Sequence, residues 1–350
     1  MGMARAALLY GPRDMRIEEM PDGTPGPGEL LLEVTAVGIC GSDLHTYLNG
    51  EIGGVAAEQP LALGHEAAGR VLALGAGTQS GFHVGQAVAI DPGLPCGVCE
   101  RCVGGDPNLC VSLQFLGLYP RNGALREHLV HPASACVPLP DGIDAVAGAL
   151  LEPLGVALHA VNLAKIKVND DVLVTGCGGI GLLIVQLVRL AGAKRIFVSD
   201  EHDWRLDFAR KYGVAVAVNA VNDDVVRVVH EETSGRGVDV AIESAWVRDT
   251  ANQCVEAARN GGRAVIVGIP SEDSITFRAS PSRRKGLTIR MSRRMKHSYA
   301  PTIDLVSRGA VDVSSLATHR FSLDQAQEAL ETAATYREGV IRAVVLPVGA

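Results

Sequence analysis

The sequence predicts an α/β protein with a β-rich first half and a doubly wound parallel sheet in the second. Three observations carry this. Before about residue 168, short apolar runs are separated by Gly and Pro clusters. Beyond it, runs of strand length alternate with helical stretches, the rhythm of a parallel sheet. VLVTGCGGIGLL then sets glycines in G-x-G-x-x-G order between a strand and a helix.

Taken in order, ELLLEVTAVGI, HEAAGRVLALG and QAVAI read as strands of the first half. DVLVTG is a buried strand, and GIGLLIVQLVRLAG a helix of near-continuous apolarity. RIFVSD, the helical HDWRLDFARKYG, AVAVNA, a polar helix, VDVAIES, another helix and RAVIVGIP continue the alternation. The pattern ends near residue 291. A helix begun at Pro301, a second around LDQAQEALETAA and a last strand, VIRAVVLP, follow. Expected domains are 1–156 and 157–292. The tail, 293–350, is too short for its own core and returns to the first domain.

The chain has 350 residues and a formal charge of −7, with abundant Gly, Ala and Val and few aromatics. No basic face is evident, which argues against a nucleic-acid partner. No uninterrupted apolar run reaches the roughly 18 residues of a membrane span. MGMARAALLYG lacks the apolar core and cleavage site of a signal peptide, and Gly2 lacks the Ser or Thr of a myristoylation site. A cytoplasmic protein is expected, in which cysteine serves more often as ligand, catalyst or buried hydrophobe than as disulfide.

Gly176, Gly178 and Gly181 allow a tight turn, close approach of a pyrophosphate and helix-on-sheet packing. The phosphates would sit on free N–H groups at the helix start, beside Gly179 and Ile180. Asp200 ends the second strand, where a carboxylate accepts from both ribose hydroxyls of NAD and repels the 2′-phosphate of NADP. It also precedes a helix and could simply cap it. Arg205 would flank the adenosine or be a solvated helix residue. Val267 and Ile269, after RAVIVGIP, complete the expected cofactor contacts.

Two sets of metal ligands are expected. CGVCERCVGGDPNLC spaces Cys96, Cys99, Cys102 and Cys110 as C-x2-C-x2-C-x7-C. Four thiolates close a tetrahedral shell around a structural zinc. An iron–sulfur cluster is the rival, but the C-x3-C-P ending of bacterial ferredoxins is absent. The open set is drawn from Cys40 in GICGSDLH, His65 and Glu66 in LGHEAAG, and Glu152 in LLEPLG. One thiolate, one imidazole and carboxylates leave a position free for an alcohol oxygen. Singly each has a bland reading, as buried thiol, core histidine or helix-end carboxylate.

GICGSDLH, LGHEAAG, the four-cysteine loop, LLEPLGVALHA and VTGCGGIGLL occur together and in this order, and the chain resembles the zinc-dependent medium-chain alcohol and polyol dehydrogenases. The resemblance spans nearly the whole chain. It implies a GroES-like zinc domain, a Rossmann domain for NAD, and an active site in the cleft between them. Within the family the chain is most similar to the sorbitol (polyol) dehydrogenase branch, through Glu152–Pro153 and the THRF at Thr318–Phe321. By that resemblance Cys40, His65 and Glu66 hold the catalytic zinc, with Glu152 beside its water or alternating onto the metal. Ser42 passes the alcohol proton through the ribose to His45, and Arg294 takes the substrate.

Four positions depart from that branch. Thr46 and Met295 stand where animal-type members carry tyrosines, Trp246 follows the fourth strand where Gly is common, and Thr78 replaces the usual aliphatic residue after the GHE-led strand. The implied activity is reversible NAD-dependent oxidation of a secondary alcohol, a polyol or sugar alcohol, to a ketone. A threonine 3-dehydrogenase-type amino-alcohol enzyme is the alternative, and a zinc-stabilised nucleotide-binding protein without turnover is a third reading. A homodimer or homotetramer is expected by analogy with the family, with no membrane partner.

Overall fold

The structure is a computed structural model that describes residues 2–349 other than 58, 59, 79, 80, 246, 248 and 271–273. Trp246 therefore lies outside the described residues. Two compact units form, Met1–Glu152 with Tyr299–Ala350, and Pro153–Ser298.

In the first unit a mixed sheet runs in the order Cys136–Pro138, Ala87–Ile90, Glu66–Leu74, Glu29–Gly38, Ala343–Leu346, His319–Ser322. His128–Pro132 also pairs with Glu29–Gly38. Along Glu29–Gly38 the fully buried Leu30, Leu32, Val34 and Ala36 alternate with half-buried residues, the period-two pattern of a strand with one inward face. The tail's last strand hydrogen-bonds along Val37 and Gly38. A hairpin of Met3–Gly11 and Asp14–Pro21 completes the unit's long strands.

Two helices depart from the sequence reading. GSDLHTYLN, to which the sequence reading assigned no element, is the helix Gly41–Asn49. The Asp43 carboxylate reaches back to the N–H of the Cys40 N-cap at 2.9 Å, half of a capping box that ties down the start of this short helix. Glu152 lies in mid-helix, in Ala145–Ala164, and not at a helix end. That helix is long and apolar enough to cross a membrane, which no uninterrupted run suggested; 72% of its apolar window is buried inside the protein.

The second unit is a six-stranded parallel sheet in the order Val216–Asn219, Arg195–Asp200, Asp171–Thr175, Val238–Glu243, Ala258–Ile266, Thr288–Met291. Asp171–Thr175 and Val238–Glu243 are buried along their whole length, as expected of central strands covered on both faces. The sixth strand, Thr288–Met291, continues the alternation that the sequence reading ended near residue 291.

Candidate active site

Strand register assembles the first group of ligands. Gly38 pairs with Glu66 on one side and Val344 on the other. Cys40, two residues past Gly38, therefore meets His65 and Glu66, and Arg342 enters from the residue just before the neighbouring strand Ala343–Leu346. A side chain at position 38 would displace the ligand, because a Cβ there would lie 2.3 Å from Glu66 Oε2. One ligand atom each from Cys40, His65 and Glu66 lies within 4.8 Å of the others.

The surrounding charges explain how this group is held. Arg342, 6% exposed, donates to Glu66 Oε1 at 2.6 Å and to the Ile39 carbonyl at 3.0 Å. Burial alone would lower its pKa, but Glu66, Cys40 and Glu152 together hold it above the ordinary value. Asp43 accepts from the N–H of Cys40 at 2.9 Å and of Gly64 at 3.0 Å, and its Oδ1 lies 3.4 Å from His65 Nδ1. A carboxylate on the far nitrogen fixes an imidazole's orientation and strengthens it as a ligand. Asp43 and Arg342 escaped the sequence reading, although Asp43 sits inside the quoted CGSD.

The donors fit a divalent metal. Glu66 is fully buried, and its Oε2 has no hydrogen-bond partner among the described residues. An orphaned carboxylate oxygen is costly without a cation. A thiol, an imidazole and a carboxylate are the mixed donor set of an open zinc site.

Of the other expected site residues, Ser42 Oγ lies 3.5 Å from His65 Nε2. His45, three residues along the same helix, is 5% exposed and not a surface side chain. Thr46 is buried, and its hydroxyl donates to the Ser42 carbonyl at 3.4 Å. Glu152 is 4% exposed and charge-coupled to Arg342, yet stands outside the Cys40–His65–Glu66 group. Arg294 belongs to the other unit and adopts a left-handed backbone, with φ of 53°. Met295, in that unit, is buried against Gly155.

The second group is the cysteine lobe. The sulfurs of Cys96, Cys99, Cys102 and Cys110 all lie within 4.8 Å of one another. Cys99 and Cys102 are 3.5 Å apart, and Cys96 and Cys102 4.0 Å. A tetrahedron of thiolates about 2.3 Å from zinc requires sulfurs about 3.8 Å apart. Backbone N–H groups of Cys102 and Val111 lower the Cys99 thiol to about 6, and those of Cys96 and Ser112 lower Cys110. Loss of solvent and the bond with Cys99 raise Cys102. With two thiols biased toward thiolate and all four sulfurs converging, the lobe is shaped for a closed zinc site.

In the second unit, Gly176 has φ of 87°, and a Cβ there would crowd Ala245 and Ser244 at 3.0 Å. A Cβ on Gly181 would strike the Gly176 carbonyl at 1.9 Å, so helix and turn touch backbone to backbone. Gly178, the N-cap of the helix Gly179–Leu190, has open space where its Cβ would be. That is the position at which a pyrophosphate approaches. Gly179 and Ile180 form the helix's first turn, half-buried. Asp200 accepts from Cys177 N at 2.8 Å and His202 N at 3.0 Å, while the N-cap of the following helix, Asp203–Arg210, is His202 and not Asp200. Arg205 Nη1 lies 3.7 Å from Asp200 Oδ2. Val267 N donates to the Glu243 carbonyl at 2.9 Å, and Ile269 is 47% exposed.

Comparison with known proteins agrees with this geometry. Residues 26–141 match the alcohol dehydrogenase GroES-like domain, and 179–308 the zinc-binding dehydrogenase family. A sorbitol dehydrogenase of Bacillus subtilis (strain 168) is 35% identical over 98% of this chain and 97% of its own. An oxidoreductase/dehydrogenase of unknown specificity from Escherichia coli superposes with a TM-score of 0.93 at 32% identity, covering 99% of both chains. A zinc-binding dehydrogenase of Sinorhizobium meliloti 1021 bound to NADP gives 0.91 at 31%, covering 99% of this chain and 100% of that one. The β-rich unit is thus a GroES-like domain and the parallel sheet a Rossmann-like one. With a structural four-cysteine zinc site, a Cys40–His65–Glu66 triad and a nicotinamide-cofactor domain, the chain belongs to the zinc-containing medium-chain alcohol dehydrogenases, which act on a CH–OH group.

Proposed function

We propose that this enzyme is an NAD-dependent polyol dehydrogenase, reversibly oxidising a secondary alcohol with neighbouring hydroxyls to the ketone. The observation that carries the reading is the buried Cys40–His65–Glu66 group with its orphaned Glu66 oxygen. A zinc ion held there would supply Lewis acidity, lowering the pKa of a bound hydroxyl so that hydride can pass to the nicotinamide. A carboxylate in place of a second thiolate makes the donor set harder and more hydrated, which suits a polyol. The resemblance to a sorbitol dehydrogenase supports the same substrate class.

The chain's own residues handle the proton. Ser42 would accept it from the substrate hydroxyl, and His45, on the same helix, would serve as the further proton acceptor once the cofactor is bound. Asp43 holds His65 in orientation from below. Arg342 keeps the Glu66 carboxylate aimed, and Glu152 adds negative charge that further favours a dication. Arg294, with its fork of donors, binds the substrate's outer hydroxyls.

For the cofactor, Asp200 repels a 2′-phosphate, while Arg205 beside it offsets part of that charge. The carboxylate lies at the strand end and accepts a hydrogen bond from the Cys177 N–H of the glycine turn. NAD is therefore the assigned cofactor.

The test is a panel of polyols, vicinal diols, threonine and simple alcohols with NAD+ and NADP+, read by nicotinamide absorbance. Turnover of polyols or diols with NAD+ is expected. Preference for threonine moves the enzyme to the amino-alcohol class, and preference for NADP+ overturns the Asp200 assignment.

A further inference from the structure

Glu243 is a buried carboxylate that the reaction leaves unused. It ends the strand Val238–Glu243 and is 2% exposed. Its Oε1 accepts from Ala245 N and from Thr250 Oγ1, each at 2.8 Å, and its Oε2 from Gly268 N at 3.0 Å. One side chain thus ties the segment leaving its own strand to the segment leaving the neighbouring strand Ala258–Ile266.

Those segments form the floor of the glycine turn. Ser244 donates to the Thr175 carbonyl through its N–H at 2.9 Å and its hydroxyl at 2.7 Å. Ala245 packs directly on Gly176, where a Cβ would stand 3.0 Å from its atoms. A Cβ on Gly268 would meet the Ala245 carbonyl at 2.1 Å and Glu243 Oε2 at 2.6 Å. Turn, Ala245 and Gly268 form a stack with no spare room, and Glu243 fastens it from beneath.

We propose that Glu243 is a positioning residue for the nicotinamide cofactor, holding the Ala245 and Gly268 backbones so that the surface receiving the dinucleotide keeps its shape. The proposal rests on the Gly176–Gly181 turn being the nucleotide site.

The hydrogen-bond pattern demands an acceptor at both ends of the carboxyl group. Burial pushes Glu243 up to about 7 despite three donors. A protonated carboxyl still serves. With the proton on Oε1 it donates to Thr250 Oγ1, whose own hydrogen goes to the Val247 carbonyl at 2.7 Å. Each carboxyl oxygen keeps a lone pair for its backbone N–H. An amide cannot do this. Whichever way Gln is turned, its NH2 faces the N–H of Ala245 or of Gly268, and one buried donor is orphaned.

The experiment titrates NADH against wild type, Glu243→Gln and Thr250→Val by nicotinamide fluorescence, with steady-state kinetics, zinc content and melting temperature. Glu243→Gln should weaken NADH binding about ten- to a hundredfold, because the free variant relaxes its turn to relieve one unsatisfied buried N–H and binding must restore the strained arrangement. It should raise KM for the cofactor by a similar factor, leave kcat within about threefold, and leave zinc content unchanged. Thr250→Val keeps both backbone ties and should stay within about threefold of wild type throughout. Wild-type NADH affinity in folded Glu243→Gln, whatever its melting temperature, overturns the proposal. So does a loss no larger than that of Thr250→Val. If Glu243→Gln does not fold, Gly268→Ala disturbs the same tie, and undiminished NADH affinity there overturns the proposal equally. Gly178→Val tests the underlying reading separately, because full NADH affinity in that variant would mean that the turn is not the nucleotide site.

Discussion

Replacing Arg342 by methionine should destabilise the metal-free protein far more than the zinc-loaded one. Arg342 and Glu66 form an ion pair at 2.6 Å with both side chains buried. At an effective dielectric constant of 20, charges about 4 Å apart attract by about 4 kcal/mol. Removing one partner of a buried pair leaves the other charge uncompensated and costs about 3–5 kcal/mol. In the metal-free variant the fully buried Glu66 carboxylate would then lose its arginine and keep Cys40 and His65 as its neighbours in the ligand group. Bound zinc supplies a replacement counter-charge on the oxygen that now lacks a partner, so the zinc-loaded variant should lose only about 1–2 kcal/mol. The assay is thermal unfolding of wild type and variant, each zinc-loaded and chelator-stripped. For domains of roughly 150–250 residues, each kcal/mol shifts the midpoint by about 2–4 °C. The expected drop is about 6–20 °C without metal and about 2–8 °C with it. Linkage requires the difference to reappear as tighter zinc binding by the variant, by about tenfold or more. Equal shifts in the two metal states, or unchanged zinc affinity, would refute the reasoning, because Arg342 would then not be serving the Glu66 charge.

Metal analysis should give about two zinc per chain, falling to about one in Cys40→Ala, which should lose turnover but keep its fold. Cys99→Ala should lower soluble yield first, since it opens the closed lobe; identical behaviour of the two variants would contradict the division between them. Asp200→Ala should shift the NAD-to-NADP preference toward NADP by about tenfold and weaken NAD binding, because the same carboxylate holds Cys177 N. An unchanged preference would remove the ribose role. His131 is fully buried and neutral, its pKa lowered to about 4 by burial, with Nε2 donating to the Asp91 carbonyl at 2.9 Å. Its folded pKa lies below the unfolded value, so the native state loses stability as pH falls from about 6.5 toward 4, by up to about 3 kcal/mol. His131→Gln keeps a donor but has no such titration, and urea midpoints should fall less steeply with acid than in wild type; parallel slopes would sink this account.

What the sequence disclosed and what it withheld divide by range along the chain. The glycine turn and the cysteine lobe are local: Gly176 to Gly181 and Cys96 to Cys110 carry their geometry in their own spacing, and the folded chain brings the donors together on that spacing alone. Period-two alternation likewise marked Glu29–Gly38. Gly41–Asn49 was not read as a helix because its nine residues have weak intrinsic helicity and start with Gly; its stability comes from Asp43 at the helix start and burial of Tyr47. Thr288–Met291 was missed because four residues with an Arg and an exposed Met give little periodicity, and its partner Ala258–Ile266 supplies the order. Arg342 is the instructive case. It lies 276 residues from Glu66, and no spacing rule joins them. They meet because Gly38 pairs with both strands at once, and a glycine there is dictated by the Glu66 carboxylate pressing on it. The ligands of such a site can be read from motifs, whereas the charges that set their behaviour follow from strand register. An arginine before a C-terminal strand becomes meaningful only once that strand's neighbour is known.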